Sequence, residues 1–286
     1  MTTLYHYCST ESFCSILKTR SIWLSSLMSS NDTHEGRLVS NTLIDLAKED
    51  GLSGYFFQQF QQSVLLTEYM YDGLGFCLSA DGDLLSQWRG YADDATGLSI
   101  GFSKEYLEKL GANTREDIPT FTMGQIEYRA EEHRKLLEPT YRELRSLIDE
   151  GALGIPPQNG PAEPKSMEQI MAEVEQVGTA NRALSSKLHE LSPKLFLLKS
   201  DAFEEEKEHR LVATRLKDVP WNCEYRASGK QIIPYRSVKL EALALDPVVE
   251  VILGPKHQTP WPIVSSMLTT CGFSGVTVKQ SKATYR

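Results

Sequence analysis

The sequence lacks most of the signatures that assign a chain to a common enzyme class. It contains no G-x-x-x-x-G-K-[ST], G-x-S-x-G, H-E-x-x-H or G-x-G-x-x-G pattern, which argues against kinases, α/β-hydrolases and zincins. Its five cysteines are scattered and include no C-x-x-C pair, so neither a zinc knuckle nor a thioredoxin motif is supported. We interpret them as reduced residues that pack as small apolar side chains.

Long apolar runs and an excess of basic charge are also missing. No apolar run approaches 18 residues, and the N-terminus has no basic stretch followed by an apolar one, so we expect a cytoplasmic protein without a membrane partner. The net charge is −8 and the pI is near 5.4, which argues against an extended nucleic-acid surface. A small nucleotide in a local basic pocket remains compatible with this charge.

The segments that are present alternate between short strands and amphipathic helices, which predicts an α+β fold in a single domain over residues 1–286. We expect central mixed or antiparallel sheets of short strands with flanking helices. The predicted strands cover residues 3–8, 22–25, 74–79, 97–102, 210–214, 232–235, 240–245, 248–253 and 277–280.

Residues 104–195 have a different character and predict a mostly helical insertion. A charged amphipathic helix over 127–150 is predicted to break at Pro139, and the proline- and glycine-rich residues 151–164 predict a loop. A second polar helix is predicted over 166–191. This insertion would flank the core and could form the arm of a homodimer.

Polar and aromatic residues lie on or beside several predicted strands. Tyr5, His6 and Tyr7 form the first strand, and Ser25 ends the second. His6 is either a structural residue or a ligand-binding one. Trp88 and Tyr91, three residues apart in a predicted short helix, either pack in the core or provide a flat wall for a purine or nicotinamide ring.

Acidic and basic residues alternate where a late strand is predicted to begin. If that strand starts by Lys207, the side chains of Glu206, Glu208 and Arg210 share one face. Such a group is either a structural ion-pair network or a site that handles charge. Carboxylates at this spacing can hold a pair of ribose hydroxyls or stabilise an oxocarbenium-like cation.

Together these segments resemble the bacterial family known as domain of unknown function 2971. The resemblance rests on an ordered series of short motifs that covers most of the chain outside residues 104–195. The motifs are Leu4-Tyr5-His6-Tyr7, Ile22-Trp23-Leu24-Ser25-Ser26, Asn31-Asp32 with Glu35-Gly36, Gly75-Phe76-Cys77-Leu78-Ser79, Gln87-Trp88-Arg89-Gly90-Tyr91-Ala92, Gly97-Leu98-Ser99-Ile100-Gly101-Phe102, Lys199-Ser200, Glu206-x-Glu208-x-Arg210-Leu211-Val212 and Val251-Ile252-Leu253-Gly254-Pro255.

More distantly, the order of motifs is similar to that of the ADP-ribosyltransferase fold, which implies an enzyme that uses NAD as a substrate and needs no metal. The resemblance implies that Glu208, or else Glu206, is the catalytic carboxylate. It further implies that Tyr5 or His6 holds the adenosine ribose and Ser25 the nicotinamide ribose. Trp88 or Tyr91 would stack on a ring, while Arg210 would pair with phosphate or, in a structural role, with Glu206.

The resemblance therefore predicts ADP-ribosyl transfer to an unknown acceptor macromolecule, or NAD hydrolysis, in a bacterial toxin or anti-phage defence effector. Two alternatives stay open. One is a sensor or interaction module that binds a nucleotide without turnover. The other is a metal-dependent nuclease acting on RNA, with further carboxylates from Asp32, Glu35 and Asp93.

Overall fold

The computed structural model describes residues 2–29, 36–112, 114–115, 118–119, 121–156, 166–217, 223–241 and 243–285. The helices of these residues are α1 (Thr10–Thr19), α2 (Arg37–Glu49), α3 (Gly54–Met70), α4 (Leu85–Tyr91), α5 (Lys104–Ala112), α6 (Ala130–Asp149), α7 (Met167–Glu190) and α8 (Trp261–Thr270). Their strands are β1 (Thr3–Cys8), β2 (Ser21–Ser26), β3 (Tyr71–Ser79), β4 (Leu98–Ser103), β5 (Thr114–Arg115), β6 (Ile118–Pro119), β7 (Thr122–Gln125), β8 (Glu208–Leu216), β9 (Glu224–Ser228), β10 (Gln231–Lys239), β11 (Val248–Leu253) and β12 (Thr277–Gln280).

A large, mostly antiparallel sheet dominates the structure and confirms the α+β class. Across the described residues it has ten strands, in the order β12-β11-β4-β1-β3-β2-β10-β9, with β8 pairing both β3 and β7. The pairing of β11 with β12 is parallel. The short strands β5 and β6 pair with each other outside this sheet.

Strand β3 brings the two ends of the chain together. Strand β8 pairs with β3 along the whole length of both strands, from Tyr71 opposite Leu216 to Ser79 opposite Glu208. The other edge of β3 is shared, because β2 pairs with it at Gly75 and β1 reaches it at Ser79. Strands β1, β2, β4 and β8 therefore belong to one sheet.

Helical layers cover both faces of this sheet. Helices α1, α5 and α8 pack against the strands in one apolar cluster, and α2, α3, α6 and α7 form a second. Leu211 belongs to the first cluster and its neighbour Val212 to the second, as expected for adjacent side chains on opposite faces of a strand. Coverage of both faces explains why β3 and β4 are almost continuously buried.

Several sequence predictions need correction. Helix α6 runs through Pro139 without a break, because Leu137, Tyr141 and Leu144 bury its apolar face in the second cluster. The described residues between 240 and 245 form no strand. Strand β8 begins at Glu208, so Glu206 precedes it.

The predicted insertion contains more than helices. Helices α5, α6 and α7 lie in it, but so does β7, which joins the main sheet through β8. Residues 151–156 are irregular, as predicted, while 157–164 lie outside the described residues. The first half of α7 exposes Met167, Ile170, Met171 and Val174. The homodimer through this region stays a prediction.

No helix in the described part of the chain combines the length and the apolar character that crossing a membrane requires.

Candidate functional site

A cavity of about 290 Å³ lies where β1, β3, α4 and the start of β8 meet. Its walls carry aromatic rings, two carboxylates, two cationic groups, a thiol and an amide. The lining residues are Tyr5, His6, Tyr7, Cys77, Leu78, Ser79, Gln87, Tyr91, Lys199, Phe203, Glu206, Glu208 and Arg210.

Four of these residues form a buried group of ion pairs, here called the ion-pair cluster: Lys199, Glu206, Glu208 and Arg210. The Lys199 Nζ atom lies 2.6 Å from Oε2 of Glu206 and 3.1 Å from Oε2 of Glu208. Each of the four residues exposes less than a tenth of its surface. Two positive and two negative charges balance, as burial of charged groups requires.

The local backbone brings both carboxylates to one ammonium group. Glu206 ends a 3-10 helix over Asp201–Glu206, and Lys207 then adopts the left-handed conformation with a φ of 46°. The chain turns sharply there and enters β8 at Glu208. A regular strand would also have placed Glu206 and Glu208 on one face, but the turn lets both carboxylates converge on the same Nζ atom.

Glu208 is held chiefly by Arg210. The Nε atom of Arg210 lies 2.6 Å from Oε1, and Nη2 lies 3.0 Å from Oε2 of the same carboxylate. Arg210 also donates from Nη1 to the Phe196 carbonyl at 3.0 Å. Burial raises the pKa of Glu208, and the Lys199 ammonium opposes that rise. Arg210 therefore pairs with Glu208 and not with Glu206, the partner expected for a structural role, and its pairing with phosphate stays a prediction.

Glu206 has a different set of partners. Its Oε1 atom accepts a hydrogen bond from the Tyr91 hydroxyl at 3.0 Å, and its backbone carbonyl accepts one from the Ser79 hydroxyl at 2.7 Å. Burial, and next the Glu206 carboxylate, raise the pKa of Tyr91. Burial alone would lower the pKa of Lys199, but the Glu208 and Glu206 carboxylates raise it above its usual value. Lys199 is therefore a cation at neutral pH.

His6 contributes a hydrogen-bond acceptor to the cavity wall. Its ring stacks on Phe76 with centroids 4.0 Å apart, and its Nδ1 atom lies 2.9 Å from the Cys77 carbonyl. Burial lowers the pKa of His6 to about 4, so the ring is neutral at pH 7. Because a carbonyl only accepts, we assign the proton to Nδ1, which leaves Nε2 as an acceptor.

Tyr5 and Tyr7 both line the cavity, although strand alternation alone would not place them there together with His6. The Tyr5 hydroxyl donates to Oε1 of Glu250 at 3.1 Å, and burial together with Glu250 raises the pKa of Tyr5 to about 12. The Tyr7 hydroxyl donates to the Asp81 carbonyl and accepts from the Leu84 amide.

Two residues predicted to bind a ligand lie elsewhere. Trp88 is fully buried, packs edge-on against Tyr7 and donates from Nε1 to Asp83 at 2.7 Å. It follows the core-packing alternative, and its helix neighbour Tyr91 is the aromatic residue that reaches the cavity. Ser25 does not line the cavity either, because its hydroxyl lies 3.4 Å from Nη2 of Arg226 in β9.

Several lining residues had no role in the sequence analysis: Lys199, Cys77, Gln87 and Phe203. Lys199 was part of a quoted motif, and a basic residue shortly before two alternating carboxylates was the signal that could have identified it. Cys77 is exposed to the cavity, but burial among protein atoms, and next the Glu208 carboxylate, raise the pKa of its thiol well above the usual value. The thiol is therefore protonated at neutral pH.

Of the three further carboxylates named for the metal-dependent nuclease, the structure describes only Asp93. Within the described residues, no group of three His, Cys, Asp or Glu side chains is arranged to hold a metal ion. Asp93 is exposed, lies outside the cavity and accepts a hydrogen bond from Thr96. Asp32 and Glu35, and the neighbouring Asn31, lie outside the described residues.

Comparisons with known proteins test the resemblance to a family but give no activity. Neither the curated proteins nor the solved structures with which we compared the chain include a match. A model of the family described as "Protein of unknown function (DUF2971)" matches residues 87–211, a span that contains the whole ion-pair cluster and the last five residues of α4. The suspected resemblance to this family is thereby confirmed over residues 87–211.

Proposed function

We propose that this protein cleaves the glycosidic bond between nicotinamide and ribose in NAD, and transfers ADP-ribose to water or to an acceptor macromolecule. The observation that carries the proposal is the convergence of Tyr5, His6, Tyr91 and Glu206 on one cavity from three separate segments of the chain. Aromatic rings beside a carboxylate suit a cationic ring and a ribose diol. An NAD-consuming activity would fit a toxin or an anti-phage defence effector.

In the proposed reaction the bond between C1′ of the ribose and the ring nitrogen breaks, and nicotinamide leaves with the bonding electron pair. A carboxylate beside the ribose stabilises the positive charge that develops at C1′. Water, or a hydroxyl of the acceptor, then attacks C1′ and releases a proton. In this reaction NAD is the substrate, and the step requires no metal.

We assign the carboxylate role to Glu206 in preference to Glu208. Both oxygens of Glu208 accept hydrogen bonds from Arg210, and Oε2 also contacts Lys199. Among the residues that the structure describes, the Glu206 carboxylate has only Tyr91 and Lys199 as side-chain partners. A ribose hydroxyl can replace Tyr91 at Oε1 of Glu206 without breaking a bidentate ion pair.

The size of the cavity limits how much of the substrate it encloses. At about 290 Å³ it lies near the lower end of ligand pockets, which span roughly 300–1,000 Å³. The nicotinamide ring and its ribose fit this volume better than the whole dinucleotide does. We therefore propose that the adenosine half lies outside, near His6, whose free Nε2 atom can accept a hydrogen bond from a hydroxyl.

The test is release of nicotinamide from NAD by the purified chain, with water, protein and RNA offered as acceptors. Glu206→Gln should lower the rate on the order of 10²–10³-fold, as loss of an electrostatic group does. Glu204→Gln is the matched control, since Glu204 is an exposed residue of the same 3-10 helix. Release by Glu206→Gln at the wild-type rate would contradict the assignment.

A second function is favoured by one observation, which is that every oxygen of the two carboxylates already has a hydrogen-bond donor. A site so fully paired suits a nucleotide sensor that binds without turnover. If the wild-type protein binds NAD and releases no nicotinamide with any acceptor, the sensor replaces the enzyme as the proposed function.

A further inference from the structure

Gln87 is a buried side chain whose amide has no hydrogen-bond partner among the described residues. It exposes only 8% of its surface and lines the cavity. Its amide atoms are not among the fully enclosed polar atoms without a partner, so they keep access to solvent. Most polar groups of buried residues pair within the protein, and an amide that instead faces a cavity is a group that a ligand would pair.

The position of Gln87 defines which part of a ligand it would meet. Gln87 and Tyr91 are four residues apart in α4 and therefore lie on the same side of the helix. The Tyr91 hydroxyl contacts Glu206, so Gln87 shares its side of α4 with the residue that reaches this carboxylate. Tyr5 and Phe203 add rings to the lining.

The chemistry of an amide then defines the ligand class. A glutamine side chain offers a donor next to an acceptor, and it pairs fully only with a planar group that offers an acceptor next to a donor. A primary carboxamide on an aromatic ring has such an edge, and so does the amino edge of adenine. Because the ion-pair cluster is already neutral, an uncharged edge of this kind needs no counter-charge.

We propose that Gln87 is the specificity-determining residue of the cavity and that it pairs with the carboxamide of an aromatic carboxamide ligand. This deepens the proposed function and rests on it only for the identity of that ligand as nicotinamide. Recognition of a donor–acceptor edge by Gln87 would hold equally for a binding protein without turnover.

The experiment compares ligands that differ by a single amino group. Binding of nicotinamide and of 3-acetylpyridine, which keeps the ring and the carbonyl and replaces the amino group by a methyl group, is measured by ligand-observed NMR. Adenosine and purine riboside, which lacks the 6-amino group, form the second pair. Sites built around a hydrogen bond reject analogues that cannot form it, so we expect a preference of about tenfold or more for the amino compound of one pair.

Two variants assign that preference to Gln87. Gln87→Leu should abolish the preference while the melting temperature stays equal or rises, because an unpaired amide is replaced by an apolar group of similar size. Ser86 lies in the same helix but does not line the cavity, so Ser86→Ala should keep both the ligand preference and the melting temperature of the wild type. A wild-type preference that survives in Gln87→Leu overturns the inference. So does a wild type that binds the two ligands of each pair equally, or that binds none of the four ligands.

The outcomes separate this inference from the proposed function. A preference within the adenosine pair supports the role of Gln87 but overturns the assignment of its partner as nicotinamide. A Gln87-dependent preference for nicotinamide without any NAD cleavage supports the inference and removes the enzymatic proposal. NAD cleavage in the absence of any such preference retains the enzyme and overturns the role of Gln87.

Discussion

Glu208 accepts two hydrogen bonds from the guanidinium of Arg210, its neighbour two positions along β8, at 2.6 and 3.0 Å. Alternate residues of a strand point to the same face, so the two side chains lie side by side and form a fork. Both are almost fully buried, and Lys199 adds a third cationic contact at 3.1 Å. This geometry identifies Glu208 as a residue that organises the site.

Glu208→Gln should therefore reduce stability. Removal of one partner from a buried ion pair leaves uncompensated charge and costs roughly 3–5 kcal/mol. We expect a loss of this order in the free energy of unfolding, measured by urea denaturation. Glu206→Gln should lose less, because Lys199 keeps its contact with Glu208 and no bidentate pair is broken. Equal stability of Glu208→Gln and the wild type would show that the fork contributes little.

Stability should also fall as the pH decreases from 6.5 towards 4. The pKa of His6 is lowered from 6.5 to about 4 in the folded protein, so in this window the unfolded chain binds a proton that the folded chain does not. His6→Gln keeps a donor for the Cys77 carbonyl and cannot titrate. The fall in urea midpoint across this window should be smaller in His6→Gln than in the wild type, and an identical fall would contradict the prediction.

The Cys77 thiol should react slowly although it is exposed to the cavity. Its pKa is raised by burial and then by the Glu208 and Glu206 carboxylates, and only the thiolate reacts. Iodoacetamide at pH 7.5 should therefore modify Cys77 at least about tenfold more slowly than free cysteine, as mass spectrometry can follow. Glu206→Gln should accelerate the reaction and Glu204→Gln should not. Rapid modification of the wild type would contradict the raised pKa.

The C-terminal residues should hold α4 in place. Asp83, just before α4, accepts hydrogen bonds from Trp88 Nε1 and the Lys282 amide at 2.7 Å each, and from the Ser281 hydroxyl. Deletion of residues 281–286 removes two of these three donors. Amides of α4 should then exchange with deuterium faster, and any nicotinamide release should slow. Asp83→Ala keeps Tyr285 and its contacts with Arg89 and Asp94, and it should accelerate exchange in the same way. Unchanged exchange in Asp83→Ala would refute the role of Asp83.

Periodicity and turn chemistry predicted much of the fold. Strands β1 and β2 follow local patterns, and the structure places them within one residue of the predicted ranges 3–8 and 22–25. The short strands β7 and β9 were not predicted. Strand β7 pairs with β8, which lies far away in the chain. Strand β9 forms a hairpin with β10 and has no alternation of apolar and polar residues. Such strands are defined by tertiary pairing, which local propensity does not report.

Less of the site than of the fold could be predicted from the sequence. Alternation placed Glu208 beside Arg210, but the left-handed turn at Lys207 that brings Glu206 and Lys199 together has no signature in its residue types. Trp88 and Tyr91 are both aromatic residues of one short helix. Only the packing of α4 against β1 decides that the first is buried and the second reaches the cavity.

The position of β1 between β3 and β4 has a consequence for protein synthesis. The cavity needs residues from Tyr5 to Arg210, and β3 gains its full-length partner only when β8 has been made. Until β8 has been made, the nascent chain would hold β1 without Glu206 and Glu208 beside it, and the non-local pairing that then follows is slow. A product released early, before residue 206, would have the aromatic wall of the cavity and neither glutamate. The ribosome would therefore carry no chain with a complete site before Arg210 had been added.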